Sequence, residues 1–185
     1  GKLNEMGGSI EFLDIGGGFA ESSILRRNGW TISKFAQKIC EKIAQETEEN
    51  SVELGILIEP GRYIVADAGV ILLKVHVKKK VHDTTWLILD GGLNLYHPMT
   101  KANFEYIVAN KASERRNRIY SLGGALCMGS DIFSRKVSLP RVEEGDLVAI
   151  LNAGAYTISL SNQFCFPRPP VLIVEGKNVE IARDR

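Results

Sequence analysis

The spacing of apolar residues differs between the first third of the chain and the rest. Residues 31–47 have helical spacing, and Thr31 or Ser33 can cap the start of the helix that they predict. The apolar face of this helix consists of Ile32, Phe35, Ala36, Ile39, Ile43 and Ala44. Two short apolar segments, Ile10–Ile15 and Leu54–Ile58, flank the helix and predict strands. A strand, a helix and a second strand in this order favour a parallel α/β layer.

From residue 68 onwards the apolar segments are short, and glycine-containing turns separate them. The predicted strands are Val70–Val77, Thr85–Leu89, Tyr120–Met128, Leu147–Leu151, Pro170–Glu175 and Val179–Ala182. Short strands with regular turns are typical of an antiparallel β domain. We therefore predict two domains, an α/β domain over residues 1–66 and an all-β domain over residues 67–185.

Composition argues against two classes of partner. The 185 residues carry a formal net charge of +1, whereas a nucleic-acid-binding protein needs an excess of positive charge, so we expect no nucleic acid. The basic clusters Lys78–Lys80 and Arg115–Arg116 fit solvated strand ends or loops. No apolar run reaches the roughly 20 residues of a membrane span, so we also expect no membrane partner.

Cysteine and histidine usage favours a cytoplasmic protein without a metal site. The three cysteines are Cys40, Cys127 and Cys165. An odd number without regular spacing is not a disulfide framework, so we expect a reducing compartment. Cys40, beside the apolar face of the helix, is expected in the core. The histidines His76, His82 and His97 lack the spacing of zinc ligands, and no CxxC motif occurs, so we predict no metal.

The segment Glu59–Arg62, which we call the Glu59 turn, follows the second predicted strand. Pro60 cannot donate a ladder hydrogen bond, so the strand ends there. Gly61 allows a ligand to approach the backbone closely, and the free amides at the start of the next helix suit a phosphate. Glu59 lies at the carboxyl end of a strand, where α/β folds place ligand-binding residues.

A second glycine-rich segment, Gly16–Gly18, follows the first predicted strand, and we call it the glycine loop. Three glycines after a strand can form a concave set of amides that holds an anion. The same composition also fits a plain flexible loop. The GxGxxG spacing of dinucleotide-binding proteins is absent, so the segment does not predict a dinucleotide site.

Two segments of the predicted β domain also carry candidate chemistry. Cys127 lies between glycines in the sequence GGALCMGSD, and Asp131 follows four positions later. The thiol belongs either to a buried strand end or to a reactive acid or nucleophile. Tyr156 follows small residues, and it is either a core residue at a turn or a hydroxyl group near a ligand.

Five motifs occur in the order found in one enzyme family. They are Leu13–Phe19 (LDIGGGF), the Glu59 turn (EPGR), Asp90–Gly92 (DGG), Cys127 with Asp131, and Gly154–Thr157 (GAYT). The chain thereby resembles the fold-type III, pyridoxal-phosphate-dependent decarboxylases that act on ornithine, diaminopimelate and arginine. The resemblance implies the end of a (β/α)8 barrel of the alanine-racemase type, followed by an antiparallel β-barrel or sandwich domain. It also implies that pyridoxal 5'-phosphate binds at the carboxyl mouth of the barrel.

The resemblance assigns cofactor-binding roles to both loops of the first domain. The amides of Gly16, Gly17 and Gly18 would contact the cofactor phosphate together with Pro60, Gly61 and Arg62 of the Glu59 turn. Glu59 would pair with the pyridinium nitrogen and keep it protonated, so that the ring accepts electrons when CO₂ leaves. Tyr156 would contact the cofactor or the substrate.

The resemblance also assigns the proton transfer and the substrate contacts. Cys127 would be the catalytic residue that returns a proton to the carbanion. In this family the cysteine reaches the neighbouring subunit's site in a head-to-tail dimer, so we expect a homodimer. The residues implied to lie near the substrate are Arg62, Asp90, Met128 and Asp131.

The chain departs from the family pattern in two respects. First, the family's cofactor-linked lysine and ring-stacking histidine lie on an early part of the barrel that has no counterpart here. Lys2, Lys34, Lys38 and Lys42 occur in other contexts. The resemblance therefore implies a carboxyl-terminal half that needs the missing amino-terminal half of the barrel and is inactive by itself.

The second departure is Met128, which stands where the family usually has an acidic residue that binds the distal end of the substrate. A thioether cannot pair with a cation, so we expect a modified or carrier-linked amino acid as the substrate. Two alternatives remain open at this point. One is a non-catalytic homologue that binds a partner protein, and the other is a related pyridoxal-phosphate-dependent racemase.

Overall fold

A computed structural model of the chain describes residues 6–8, 10–49, 54–96 and 103–184. The chain divides into two compact units, Gly1–Asp67 (unit 1) and Ala68–Arg185 (unit 2). His97 lies outside the described residues. Within the described ranges, no helix has both the length and the apolar character that crossing a membrane requires.

Unit 1 contains two short strands with helices between and after them. The elements are β1 (Phe12–Asp14), α1 (Ser22–Arg27), α2 (Ile32–Glu49), β2 (Gly55–Leu57) and α3 (Gly61–Val65). β1 and β2 pair in parallel, with Phe12 opposite Gly55. The Phe12 ring covers Gly55 so closely that a Cβ atom there would lie 2.5 Å from the ring. The parallel pairing brings the carboxyl ends of both strands to one edge, where the glycine loop and the Glu59 turn begin.

Helix α2 begins at one of the two predicted caps. The Thr31 hydroxyl accepts a hydrogen bond from the Lys34 amide at 3.2 Å, which satisfies an otherwise free amide of the first turn. Cys40 is exposed, so its expected place in the core was wrong. It follows Ile39 directly, and one residue turns a helix by about 100°, so its side chain leaves the apolar face.

The apolar face of α2 borders a cavity in unit 1. Phe35 packs edge-to-face against Phe19, with ring centroids 5.7 Å apart. The cavity has a volume of about 350 Å³, and Gly17 and Gly18 also line it. The helix therefore supports the glycine loop from its apolar side.

Unit 2 is built from strands. They are β3 (Ile71–Val81), β4 (Thr84–Leu89), β5 (Glu105–Val108), β6 (Arg118–Gly123), β7 (Ile132–Leu139), β8 (Leu147–Leu151), β9 (Val171–Glu175) and β10 (Asn178–Arg183). Six of them form one sheet in the order β5-β8-β3-β4-β6-β7, and β9 pairs with β10 in a separate hairpin. The Tyr106 hydroxyl on β5 donates to the Phe133 carbonyl on β7 at 3.0 Å, so the two outer strands of the sheet nearly close on each other.

The sheet departs from the predicted antiparallel pattern at one place within the described residues. β4 and β6 are parallel, with Leu87 opposite Leu122, whereas the other neighbouring strands of this sheet are antiparallel. The segments that follow β4 and β6 therefore leave the sheet at the same edge. These segments carry Asp90 and Cys127, so the parallel pair brings two of the predicted site segments together.

The core of unit 2 lies on one face of this sheet. Its fully buried members are aliphatic: Leu87, Leu89, Leu122, Leu139, Val142, Val148 and Ile150. On β4, the buried residues Leu87 and Leu89 occupy alternate positions, as the period of a half-buried strand requires. On β8, by contrast, the three consecutive residues 148–150 are all buried. The predicted strand Tyr120–Met128 ends at Gly123 instead, because the following residues fold back around Asp131.

Candidate active site

The glycine loop and the Glu59 turn contact each other through their backbones. The Glu59 amide donates to the Gly16 carbonyl at 2.8 Å, and the Ile15 amide donates to the Leu57 carbonyl at 3.1 Å. A Cβ atom on Gly17 would overlap the Glu59 carbonyl oxygen, so this contact requires glycine. The structure thus brings together the two segments that the sequence predicted to share one ligand.

The glycine loop has a backbone shape that favours glycine at its first and last positions. Gly16 and Gly18 have φ angles of 70° and 83°, in the left-handed region that other residues rarely adopt. The Asp14 carboxylate accepts the Gly16 amide at 2.8 Å and fixes the start of the loop. The Gly17 and Gly18 amides donate to no described residue, so they can bind an anion.

Asp14 is a loop-shaping residue to which the sequence analysis gave no role of its own. Its position two residues before a glycine turn is a recognisable signal, because aspartate side chains often accept the amide two residues on. A carboxylate at this position orders the loop without occupying its amides at Gly17 and Gly18.

In the Glu59 turn, the amide of Gly61 is not free, although the sequence predicted free amides there. The Gly61 amide donates to the Glu59 carbonyl at 2.9 Å, so this amide is engaged within the turn. Apart from its chain neighbours and its own helix backbone, a Cβ atom on Gly61 would meet none of the described residues within 4 Å. Its φ is not positive either, so the described fold does not itself require glycine there. The Glu59 side chain is exposed, Pro60 caps the five-residue helix α3, and Arg62 lies half-buried in its first turn.

These residues of unit 1 fit the phosphate end of pyridoxal phosphate and a ring beside it. Gly17 and Gly18 offer amides for the anion, and the open space at Gly61 admits a ligand against the backbone. The exposed side chain of Glu59, in the same turn, supplies a carboxylate. Together they provide an anion-binding surface and an acceptor for a protonated ring nitrogen.

In unit 2, the Asp131 carboxylate joins the segments that follow β4 and β6. We call residues 124–131 the Cys127 loop and residues 90–93 the Asp90 loop. One carboxylate oxygen of Asp131 accepts the Leu93 amide at 2.8 Å, and the other accepts the Leu126 amide at 2.8 Å. The carboxylate is buried, whereas Cys127 and Met128 are exposed at the tip of the Cys127 loop. The structure thus brings the loops of Asp90 and Cys127 together.

Asp90 is partly engaged by the neighbouring strand. One of its carboxylate oxygens accepts the Lys74 amide at 2.8 Å, and its own amide donates to the Lys74 carbonyl at 3.0 Å. The side chain is nevertheless exposed. The Asp90 side chain therefore remains open to solvent although one of its oxygens is engaged.

Tyr156 lies in a third loop, after β8, whose backbone is unusual. Asn152 and Tyr156 both have positive φ angles, 60° and 59°. The Ala153 amide donates to the Gly69 carbonyl at 2.9 Å, and a Cβ atom on Gly69 would overlap the backbone of Gly154. Non-glycine residues in this conformation are strained and are common at functional sites. The Tyr156 ring is exposed, which places its hydroxyl outside the core.

The role of Gly69 was not foreseen from the sequence. It is 85 positions from Gly154, and only the folded sheet brings the two backbones into contact. Among the described residues, no group of three or more Cys, His, Asp or Glu side chains is arranged to hold a metal ion.

Comparison with known families gives two matches that together cover most of the chain. Residues 1–66 match the pyridoxal-binding domain of the pyridoxal-dependent decarboxylases. Residues 36–154 match the C-terminal sheet domain of the same enzymes.

Individual relatives agree with these matches. The chain is 33% identical to the diaminopimelate decarboxylase of Methanothermobacter thermautotrophicus and 33% identical to that of Bacillus subtilis, in each case over all of this chain and 44% of the relative. A crystal structure of Methanocaldococcus jannaschii diaminopimelate decarboxylase in complex with L-lysine is 31% identical with a TM-score of 0.78. This match extends over all of the present chain and over 42% of the chain in the crystal structure.

The chain spans less than half the length of the curated relatives that it matches. The family matches confirm the resemblance that the five sequence motifs predicted. The chain therefore belongs to the pyridoxal-dependent decarboxylases, amino-acid carboxy-lyases that use pyridoxal 5'-phosphate as their cofactor.

Proposed function

We propose that this chain is the carboxyl-terminal half of a dimeric amino-acid decarboxylase that uses pyridoxal phosphate. The observation that carries the proposal is the backbone contact between the glycine loop and the Glu59 turn, with the Gly17 and Gly18 amides available beside it. This surface binds the phosphate, and Arg62 lies near the phosphate or the substrate. The cofactor, when bound, supplies an electron-accepting ring.

Glu59 sets the charge of that ring. A carboxylate near a ring nitrogen favours the protonated form of the nitrogen, because the opposite charges attract. The Gly61 amide is engaged within the turn, whereas the Glu59 side chain is exposed. The Glu59 carboxylate, and not the backbone of the turn, is therefore the group that faces the ring.

We further propose that Cys127 donates the proton to the substrate carbon after loss of CO₂. Its exposure at a loop tip suits a thiol that acts in the site of the partner subunit of a head-to-tail homodimer. Tyr156, also exposed, contacts the cofactor or the substrate. Asp90, through its exposed side chain, and Met128 line the substrate side.

The remaining part of the active site lies in a barrel half that carries the lysine and the stacking histidine of the family. We propose residues 1–66 as the end of the (β/α)8 barrel and residues 67–185 as the β domain. The parallel pairing of β1 and β2 supports this assignment, because barrel strands are parallel.

The substrate is proposed to be an amino acid whose distal end is modified or linked to a carrier. The relatives are named for diaminopimelate, but Met128 has a half-exposed thioether where the family usually has an acidic residue. The test is CO₂ release by this chain combined with the lysine-bearing half, using meso-diaminopimelate, L-lysine, L-ornithine and L-arginine in turn. Efficient turnover of any of these four would overturn the proposed substrate class.

The decarboxylase itself is tested with a matched pair of cysteine variants. Cys127→Ala should reduce CO₂ release strongly, whereas Cys165→Ala, at another exposed cysteine of unit 2, should leave it unchanged. Inversion of the amino acid without CO₂ release would make the enzyme a racemase. Failure to bind pyridoxal phosphate at all would instead favour a non-catalytic, partner-binding homologue.

A further inference from the structure

We propose that Asp131 is a positioning residue that holds the Cys127 loop against the Asp90 loop, rather than a residue that binds the substrate. The expected effect of Asp131 on catalysis rests on the proposed decarboxylase function, whereas its role in holding the two loops together does not. The side chain is only 5% exposed, although it lies next to the exposed tip of the Cys127 loop.

Both oxygens of the carboxylate are bound by backbone groups, which come from two different loops. Its two oxygens accept the amides of Leu93 and Leu126, each at 2.8 Å. An ionised carboxylate forms stronger hydrogen bonds to amides than a neutral acceptor does. Each oxygen therefore fixes one loop, and the rigid carboxylate sets the distance between them.

Two glycines make room for this carboxylate. A Cβ atom on Gly92 would lie 2.5 Å from one Asp131 oxygen, and a Cβ atom on Gly124 would overlap the same oxygen. One glycine belongs to each loop, so both backbones approach the carboxylate more closely than any other residue would allow. Neither glycine has a positive φ, so the close approach, and not a special backbone angle, is the reason for glycine.

The backbone around Asp131 completes the connection. The Gly124 amide donates to the Asp131 carbonyl at 2.9 Å, and the Asp131 amide donates to the Met128 carbonyl at 3.1 Å. The Ala125 amide donates to the Gly91 carbonyl at 3.2 Å, which is a second bond between the two loops. Cys127 therefore lies between two residues whose backbones are held, Leu126 and Met128.

The surroundings of Asp131 and Asp90 indicate different roles for the two carboxylates. Asp131 is only 5% exposed and both of its oxygens already accept backbone amides, so it offers little surface to a substrate ammonium group. Asp90, by contrast, is exposed and uses only one oxygen for the Lys74 amide. The structure therefore favours Asp90 for contact with the substrate and Asp131 for the placement of the thiol.

The variant Asp131→Asn tests the proposal with little change of shape. The asparagine amide nitrogen cannot accept a hydrogen bond, so one of the two backbone amides loses its acceptor in either orientation of the side chain. The matched control is Asp146→Asn. Asp146 is also buried and accepts a backbone amide, that of Glu143 at 2.7 Å, but it has no bond to either loop.

Hydrogen–deuterium exchange of the complete enzyme gives the first measurement. In Asp131→Asn, peptides that cover residues 90–95 and 124–131 should exchange about tenfold faster or more, as expected for the loss of one such hydrogen bond. In Asp146→Asn they should exchange as in the unmodified enzyme. Unchanged exchange in Asp131→Asn would overturn the proposal.

Steady-state kinetics give the second measurement, with the amino acid that the unmodified enzyme decarboxylates fastest. Asp131→Asn should lower kcat about 100-fold, as misplacement of a reacting group does, with little change in KM. Asp146→Asn should leave kcat unchanged. A raised KM with unchanged kcat would overturn the proposal and make Asp131 a substrate-binding residue.

The proposal can still be tested if Asp131→Asn does not fold or if the unmodified enzyme is inactive. If Asp131→Asn does not fold, exchange in the unmodified enzyme decides: slow exchange at the Leu93 and Leu126 amides supports the proposal, and exchange at the rate of an open loop overturns it. If the unmodified enzyme releases CO₂ from no amino acid, the proposed function fails, while the exchange measurement still tests the positioning role.

Discussion

Replacement of Gly17 by alanine should damage the cofactor site through the backbone of Glu59. The added Cβ atom would overlap the Glu59 carbonyl oxygen and would lie 3.5 Å from the carbonyl carbon. Overpacking of this kind costs about 1–3 kcal/mol. Relief requires the two loops to separate, which also breaks the 2.8 Å hydrogen bond from the Glu59 amide to the Gly16 carbonyl. That bond contributes about 0.5–1.5 kcal/mol.

The matched control is Gly61→Ala, in the other loop of the same site. Among the described residues, its Cβ atom would meet nothing within 4 Å beyond its chain neighbours and its own helix backbone, and alanine reduces the entropy of the unfolded chain. We expect Gly61→Ala to be as stable as the unmodified enzyme, or more stable by about 0.4–1 kcal/mol. Gly17→Ala should lose both stability and affinity for pyridoxal phosphate, whereas Gly61→Ala should lose affinity alone.

The assay is urea denaturation of the complete enzyme without cofactor, together with titration of the cofactor into each variant. A Gly17→Ala enzyme with unchanged stability and unchanged affinity would refute the reasoning. It would show that the glycine loop and the Glu59 turn do not depend on their close approach.

Three further results are expected. Asp146→Asn should lower the melting temperature at neutral pH. Burial raises the pKa of Asp146, but the Lys111 ammonium and hydrogen bonds from Glu143 and Asn110 outweigh this, so the pKa lies below its ordinary value of 3.8. The stabilisation is therefore present above pH 3.8 and is lost as the pH falls through the lowered pKa of the folded state, so the difference from the unmodified enzyme should shrink in acid. Melting curves that differ equally at acid and neutral pH would contradict this. Gly69→Ala should cost about 1–3 kcal/mol in urea denaturation, because its Cβ atom would overlap Gly154; an unchanged midpoint would contradict the contact. Met128→Glu should raise kcat/KM for meso-diaminopimelate relative to the unmodified enzyme, and no gain would argue against substrate contact at this position.

The local features of unit 1 could be predicted from the sequence because they depend on short-range signals. The helical spacing and the Thr31 cap gave α2 within two residues at either end. The place of the glycine loop beside the Glu59 turn followed from parallel strands, whose carboxyl ends share an edge. The engaged amide of Gly61 could not be predicted, because it depends on the φ and ψ angles of the turn.

Unit 2 was predicted less completely because its pairing is long-range. β4 and β6 are separated by 28 positions and are parallel, a register that alternation of apolar residues does not specify. β5 and β7 were missed, since neither has a strongly apolar run. The strand predicted over Tyr120–Met128 was too long, because the apolar residue Leu126 is buried by the loop around Asp131 and not by the sheet.

The phosphate-binding role of the two loops is tested most directly by comparing two ligands, pyridoxal phosphate and pyridoxal, on the complete enzyme and on Gly61→Ala. The Cβ atom of Gly61→Ala would occupy the open space beside the Glu59 turn and would push the phosphate away from the Gly17 and Gly18 amides. Loss of one such hydrogen bond to a charged group is worth about 1.5–3 kcal/mol, or roughly 10- to 150-fold in affinity. We expect Gly61→Ala to bind pyridoxal phosphate more weakly by this factor and to bind pyridoxal unchanged. Equal weakening for both ligands, or no change for either, would contradict a phosphate held between the glycine loop and the Glu59 turn.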